Sequence, residues 1–158
     1  MHIFQAIVAA QVLYGLSSSW LTTAQVQRLN GFQARCLRRI LRIPSSFVSR
    51  ISNKSVVERA KTKSFSSQLL KQQLLLLGRV AHAPAHDVLR RLTFVGESLQ
   101  PMTHRFVRKV GRPRQEWAPK MLKEGLEMVG SMSDLQEVLK EEMVWHSAVN
   151  KYRGSLGS

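Results

Sequence analysis

TTAQVQRLNGFQARCLRRILRI, residues 22–43, is the stretch whose reading decides the fold. Its apolar positions Val26, Leu29, Phe32, Cys36, Leu37, Ile40 and Leu41 recur every three or four residues, the period of a helix with one buried face. At ~100° per residue they fill one half of the helical wheel. Arg28, Arg35, Arg38, Arg39 and Arg42 fall within an arc of about 100° on the other half. Thr22 or Thr23 supplies a cap, and Pro44 stops the helix because it disfavours helical backbone before it. The segment predicts an amphipathic helix whose polar face is almost wholly arginine.

Upstream, Ile3 to Leu16 is an apolar run broken by Gln5 and Gln11. It is shorter than the ~20 residues of a membrane span. No Lys or Arg precedes Arg28, so it lacks the charged start of a signal peptide. It reads as a buried helix. Downstream, Ser52-Asn53 opens a short helix through Ala60, with Asn53 as cap and Ser55 with Glu58 at capping-box spacing. Ser67 to His82 carries Leu69, Leu70, Leu74, Leu75, Leu76 and Leu77, dense enough for deep burial, until Pro84 interrupts. Helix resumes from His86 to Phe94, with Val88, Leu89 and Leu92 expected to face inward. Gly96, Pro101, Gly111 and Pro113 then mark a linker. After Pro119, a helix through Val129 stops at Gly130. Ser133 with Gln136 caps one last helix with Leu135, Val138, Leu139, Trp145, Val149 and Tyr152 on its core face.

No strand alternation occurs, so the expectation is an all-α fold: a small basic helical bundle, an extended basic linker and a C-terminal helical hairpin. The segments are an apolar lead helix at 1–21, the bundle at 22–95, the Gly/Pro linker at 96–115 and the acidic-leaning hairpin at 116–158. Leu29, Phe32, Cys36, Leu37, Ile40, Leu74, Leu77 and Leu89 are expected in one core.

Charge separates along this plan. The 158 residues carry a formal charge of +14, but residues 1–115 hold 19 Lys and Arg against three acids, Glu58, Asp87 and Glu97. Residues 116–158 hold five against seven acids. Such segregation is what a surface meeting a polyanion needs, and nucleic acid is the commonest polyanion. The scattered acids exclude a carboxylate cluster for two-metal phosphoryl transfer and paired-carboxylate hydrolysis. One cysteine excludes an internal disulfide and argues against a zinc finger. Cys36, on the apolar face of its helix, reads as a small core residue. His82 and His86 have ligand spacing, yet Pro84 between them spoils the helix, so no metal is expected. No Ser–His–Asp set is supplied, because Asp87 and His86 are neighbours whose side chains diverge on a helix. No cofactor and no catalytic residue is expected. Trp20, Trp117 and Trp145 read as packing residues rather than base-stacking ones.

Gly111-Arg112-Pro113-Arg114 is the sharpest local pattern. Pro113 holds Arg112 extended, and the two guanidiniums can follow a phosphate track or enter a narrow groove. It resembles the core of an AT-hook, with Val110 where that motif has another arginine. Candidate nucleic-acid contacts are therefore Arg28, Arg35, Arg38, Arg39 and Arg42 on the helix, and Arg105, Arg108, Lys109, Arg112 and Arg114 in the linker.

Five landmarks fall in a familiar order. They are Leu13-Tyr14-Gly15-Leu16 with Trp20, the run from Arg28 to Ile43, Ile51-Ser52-Asn53-Lys54-Ser55-Val56, Leu77-Gly78-Arg79-Val80, and Gly111-Arg112-Pro113-Arg114 with Trp117. Together, over about residues 3–120, they resemble the region downstream of the polymerase core in LINE-type (non-LTR) retrotransposon reverse transcriptases and their degenerate copies. Leu29-x-x-Phe32-Gln33-x-Arg35-Cys36-Leu37-Arg38-x-Ile40-Leu41 is the most specific part, similar to that family's Leu-x-x-Phe-Gln-Arg-Arg-Cys-Leu-Arg-x-Ile-Leu helix. Arg79 stands where the family has histidine, and Ala81-His82-Ala83-Pro84 replaces its Arg-Met-Pro step. The palm carboxylates, an endonuclease domain and a Cys/His knuckle have no counterpart in these residues, and 121–158 lie outside the match. The resemblance implies a thumb-like or post-thumb helical segment that grips template RNA and target DNA, in the nucleus or cytoplasm, without chemistry of its own.

Two further readings stand beside it. One is a self-standing basic RNA-binding protein of a ribonucleoprotein such as a ribosome, cytoplasmic or mitochondrial. The other is a helical adaptor that meets a protein partner through the acidic C-terminal hairpin. None of the three involves a membrane.

Overall fold

The computed structural model describes residues 3–102 and 116–152. Among these residues the protein is all-α, with no strand and one isolated antiparallel bridge, Phe94 to Pro101. Two compact units divide inside one helix, between Leu70 and Lys71. The stretch read as one bundle at 22–95 is thus shared between them.

The first unit opens with α1, π-helical over Phe4–Ala9 and α-helical over Ala10–Leu13. Its Phe4, Ala9 and Leu13 are buried, as the apolar run required. Gly15, at φ 72°, takes a left-handed turn into a 3₁₀ turn, Leu16–Ser18. Helix α2, Thr23–Ile40, is capped reciprocally: Thr22 Oγ1 accepts from Gln25 N, and Gln25 Oε1 accepts from Thr22 N at 2.8 Å. It ends sooner than Pro44 demands, because Arg42 already turns left-handed at φ 53°. Two short helices follow, α3 (Ser46–Ser49) and α4 (Asn53–Arg59). Ser52, not Asn53, caps α4, its Oγ accepting from Ser55 N at 3.1 Å. Helix α5 runs Phe65–His82.

Phe4, Leu13, Leu29, Leu37, Val56, Phe65 and Leu69 form the core of this unit, with Cys36 packed against it. The Phe4 and Phe65 rings stack with centroids 5.9 Å apart. The buried face of α2 lies about 60° round the wheel from the apolar stripe. It takes in Gln33, Ala34 and Arg38, and leaves Phe32 and Ile40 exposed, which corrects their expected place in the core. The cause is polar. Gln33 Oε1 accepts from Phe65 N and its Nε2 donates to Lys63 O, each at 2.8 Å. Asn30 Oδ1 accepts from Ser66 N at 3.0 Å, and Ser64 Oγ from Ser67 N at 3.2 Å. Three of the four otherwise orphaned donors at the start of α5 are thus satisfied, two of them by α2.

The second unit contains the rest of α5 with α6 (Val88–Thr93), α7 (Trp117–Val129), α8 (Met132–Lys140) and α9 (Glu142–Lys151). The single last helix expected from Ser133 is two helices, broken at the extended Glu141 and capped by Ser131. Leu74, Leu77, Phe94, Met121, Leu135 and Trp145 are almost wholly buried here. Trp145 Nε1 donates to the Leu74 carbonyl at 2.9 Å, so the indole is both packed and satisfied. Gly78 makes room for it: a Cβ there would sit 2.3 Å from the indole. Val88, Leu89 and Leu92 are 66%, 57% and 57% exposed, against their expected burial. Arg90 takes the inward position on α6 instead, donating to the carbonyls of Ala81 and Glu97.

Candidate nucleic-acid interface

Arg28, Arg35 and Arg39 lie along the solvent side of α2, and Arg42 is exposed in the turn after it. Eleven residues separate Arg28 from Arg39, about 16 Å along the helix axis. Arg38 is turned inward and only 6% exposed. Its Nη1 donates to Pro44 O at 3.0 Å and Ser49 Oγ at 3.2 Å, and its Nη2 to Ile51 O at 2.5 Å and Asn53 Oδ1 at 3.3 Å. A guanidinium so engaged holds the 44–53 segment together, so Arg38 leaves the set of phosphate contacts. The wheel had put it at the edge of the arginine arc, where a small rotation decides between solvent and interior.

The structure adds basic residues that helical periodicity did not single out. Arg50, Lys54, Arg59, Lys61 and Lys63 are all exposed in the first unit. Arg42, Arg50 and Lys61 hold left-handed backbone at φ 53°, 54° and 51°. Glycine would occupy such positions with less strain, by roughly 1–2 kcal/mol each. Each follows a helix, where a cation also meets the negative end of the helix dipole. Only the bulk charge of this region signalled them beforehand.

Up to Leu70 the sequence has ten Lys and Arg and one acid, Glu58. Among the described residues the ion pairs are Lys123 with Glu127 and His146 with Glu142, and neither involves a Lys or Arg of this unit. Among the described residues, its exposed cations have no acidic partner. The second half of the expected site, Arg105, Arg108, Lys109, Arg112 and Arg114, lies outside the described residues.

Among the described residues no three of His, Cys, Asp and Glu gather where a metal could sit, and no helix is long and apolar enough to cross a membrane. His82 Nδ1 meets the Gly78 carbonyl at 2.8 Å. Trp20 and Trp117 are half-buried and Trp145 wholly so. Compared with family models, curated proteins and solved structures, the chain matches none.

Proposed function

We propose that this chain is a nucleic-acid-binding module without a catalytic centre of its own, meeting phosphates through its first unit. The exposed cations of that unit, without an acidic partner among the described residues and opposed up to Leu70 by Glu58 alone, carry the reading. Such a surface gains its affinity from released counterions, and arginines without Asn or Gln companions position on the backbone rather than read base edges. The reading accords with the resemblance to the region downstream of the polymerase core in LINE-type reverse transcriptases.

Salt dependence tests it. Four phosphate contacts, from Arg28, Arg35, Arg39 and Arg42, contribute about −3.5 to the log–log slope on duplex DNA, and other cations that join add to it. Changing all four to glutamine is expected to flatten the slope by about 3.5 units with helicity unchanged. Arg112→Ala with Arg114→Ala is expected to flatten it by about two. Binding indifferent to salt, or absent, refutes the proposal.

A further inference from the structure

The segment pinned by Arg38 carries an apolar tip that the packing does not use. Phe47 is 80% exposed and Val48 69%, in a short helix between two turns. Isolated exposed apolar residues are ordinary on protein surfaces. This pair is set apart by its surroundings. The buried Arg38 guanidinium ties Pro44, Ser49, Ile51 and Asn53 to one point, bracketing Phe47 on both sides. Arg50, turned back by its left-handed backbone, sets its guanidinium over the Phe47 ring at 5.6 Å. Arg42 lies at the start of the same segment, and no acid precedes Glu58 in the sequence.

We infer that Phe47 is a stacking platform for an unpaired nucleobase, with Arg50 and Arg42 holding the flanking phosphates. A planar ring on a fixed support loses little freedom when a base stacks on it, and every base offers a π-face. The guanidinium over the ring adds cation–π attraction and an anion contact in one group. In a duplex the bases are already stacked on each other, so this platform favours single strands. The cationic surroundings favour a polyanion over an uncharged apolar partner. The inference deepens the proposed nucleic-acid binding and rests on it.

The test compares an oligothymidylate with a duplex of equal length, titrated into the full chain by fluorescence anisotropy. Phe47→Ala is expected to weaken single-strand binding about tenfold, with duplex binding and the melting temperature unchanged. Phe47→Tyr keeps the ring and is expected to retain wild-type affinity. Arg50→Gly relaxes the backbone, so it should melt no earlier than wild type, yet bind the single strand roughly threefold more weakly. Equal single-strand affinity in Phe47→Ala and wild type overturns the platform and leaves phosphate binding standing. So does a loss shared by both oligonucleotides. A Phe47→Ala defect confined to vesicles containing phosphatidylserine would assign the tip to membranes and overturn it as well. A wild-type chain that binds neither oligonucleotide removes the proposed function and the platform together.

Discussion

Arg38 and Glu124 show how differently two buried charged side chains can be settled. Four hydrogen bonds occupy the Arg38 fork, and two of their acceptors are backbone carbonyls with a turn built around them. Lysine preserves the charge but cannot reproduce the fork. Arg38→Lys is therefore expected to cost about 2 kcal/mol, read as a lower denaturant midpoint at unchanged slope. A phosphate-contacting arginine would tolerate that change with its stability intact. Glu124, on α7, has one carboxylate oxygen buried with no partner among the described residues. Burial, and then the nearby Glu127, push its pKa above the ordinary range, against Lys123 and a hydrogen bond with Tyr152. The folded state thus holds this proton to higher pH than the unfolded chain does. Its contribution is fully present below the ordinary glutamate pKa of the unfolded chain and is lost as pH rises through the folded value. Glu124→Gln keeps a neutral side chain at every pH. It is expected to raise the melting temperature at neutral pH and to remove that part of the decline above the ordinary glutamate pKa. A variant whose melting tracks wild type from acid to neutral pH contradicts this account.

Two glycines inside helices distinguish propensity from packing. Gly31 in α2 has nothing within 4 Å of where a Cβ would stand, whereas Gly78 in α5 abuts the Trp145 indole. Alanine favours a helix interior over glycine by about 1 kcal/mol at either place. Gly31→Ala is expected to stabilise by up to that amount. Gly78→Ala meets a ring fixed by its bond to the Leu74 carbonyl, so overpacking outweighs propensity and the expected loss is about 3 kcal/mol. Thermal melts of the two variants shifting in the same direction would mean that the indole can move aside. The same contrast separates what could be read from the helices in advance. Helix α2 and its Thr22 cap follow from a pattern confined to neighbouring residues. The rotation of α2 does not, because it is set by Asn30 and Gln33 reaching the start of α5, over thirty residues on. The break at Glu141 is likewise silent in the pattern, since the apolar positions continue across it.

On the scale of the molecule, charge and chemistry separate. The few acids of the basic region are single, and the chain should neither extend a primer nor nick DNA when supplied with Mg²⁺. Metal-dependent incorporation that persists through rigorous removal of contaminating polymerase would contradict that expectation. Of the candidate interface, the exposure of Arg28, Arg35, Arg39 and Arg42 was legible, because a polar arc on an amphipathic helix defaults to solvent.

Sequence alone determined the all-α class, the burial of Leu69, Leu70, Leu74 and Leu77 in α5, though not that of the half-buried Leu75 and Leu76, and the basic composition of the first unit. Each depends on composition or short-range period, which every fold of these residues must respect. Only the tertiary structure decided which arginine goes inside, which apolar residues stay out, and where the chain divides. Leu89 yields its inward place to Arg90, and Phe32 to Gln33, because each buried polar side chain finds backbone partners outside its own helix. Those partners are brought together by the folded chain, and no local pattern encodes them.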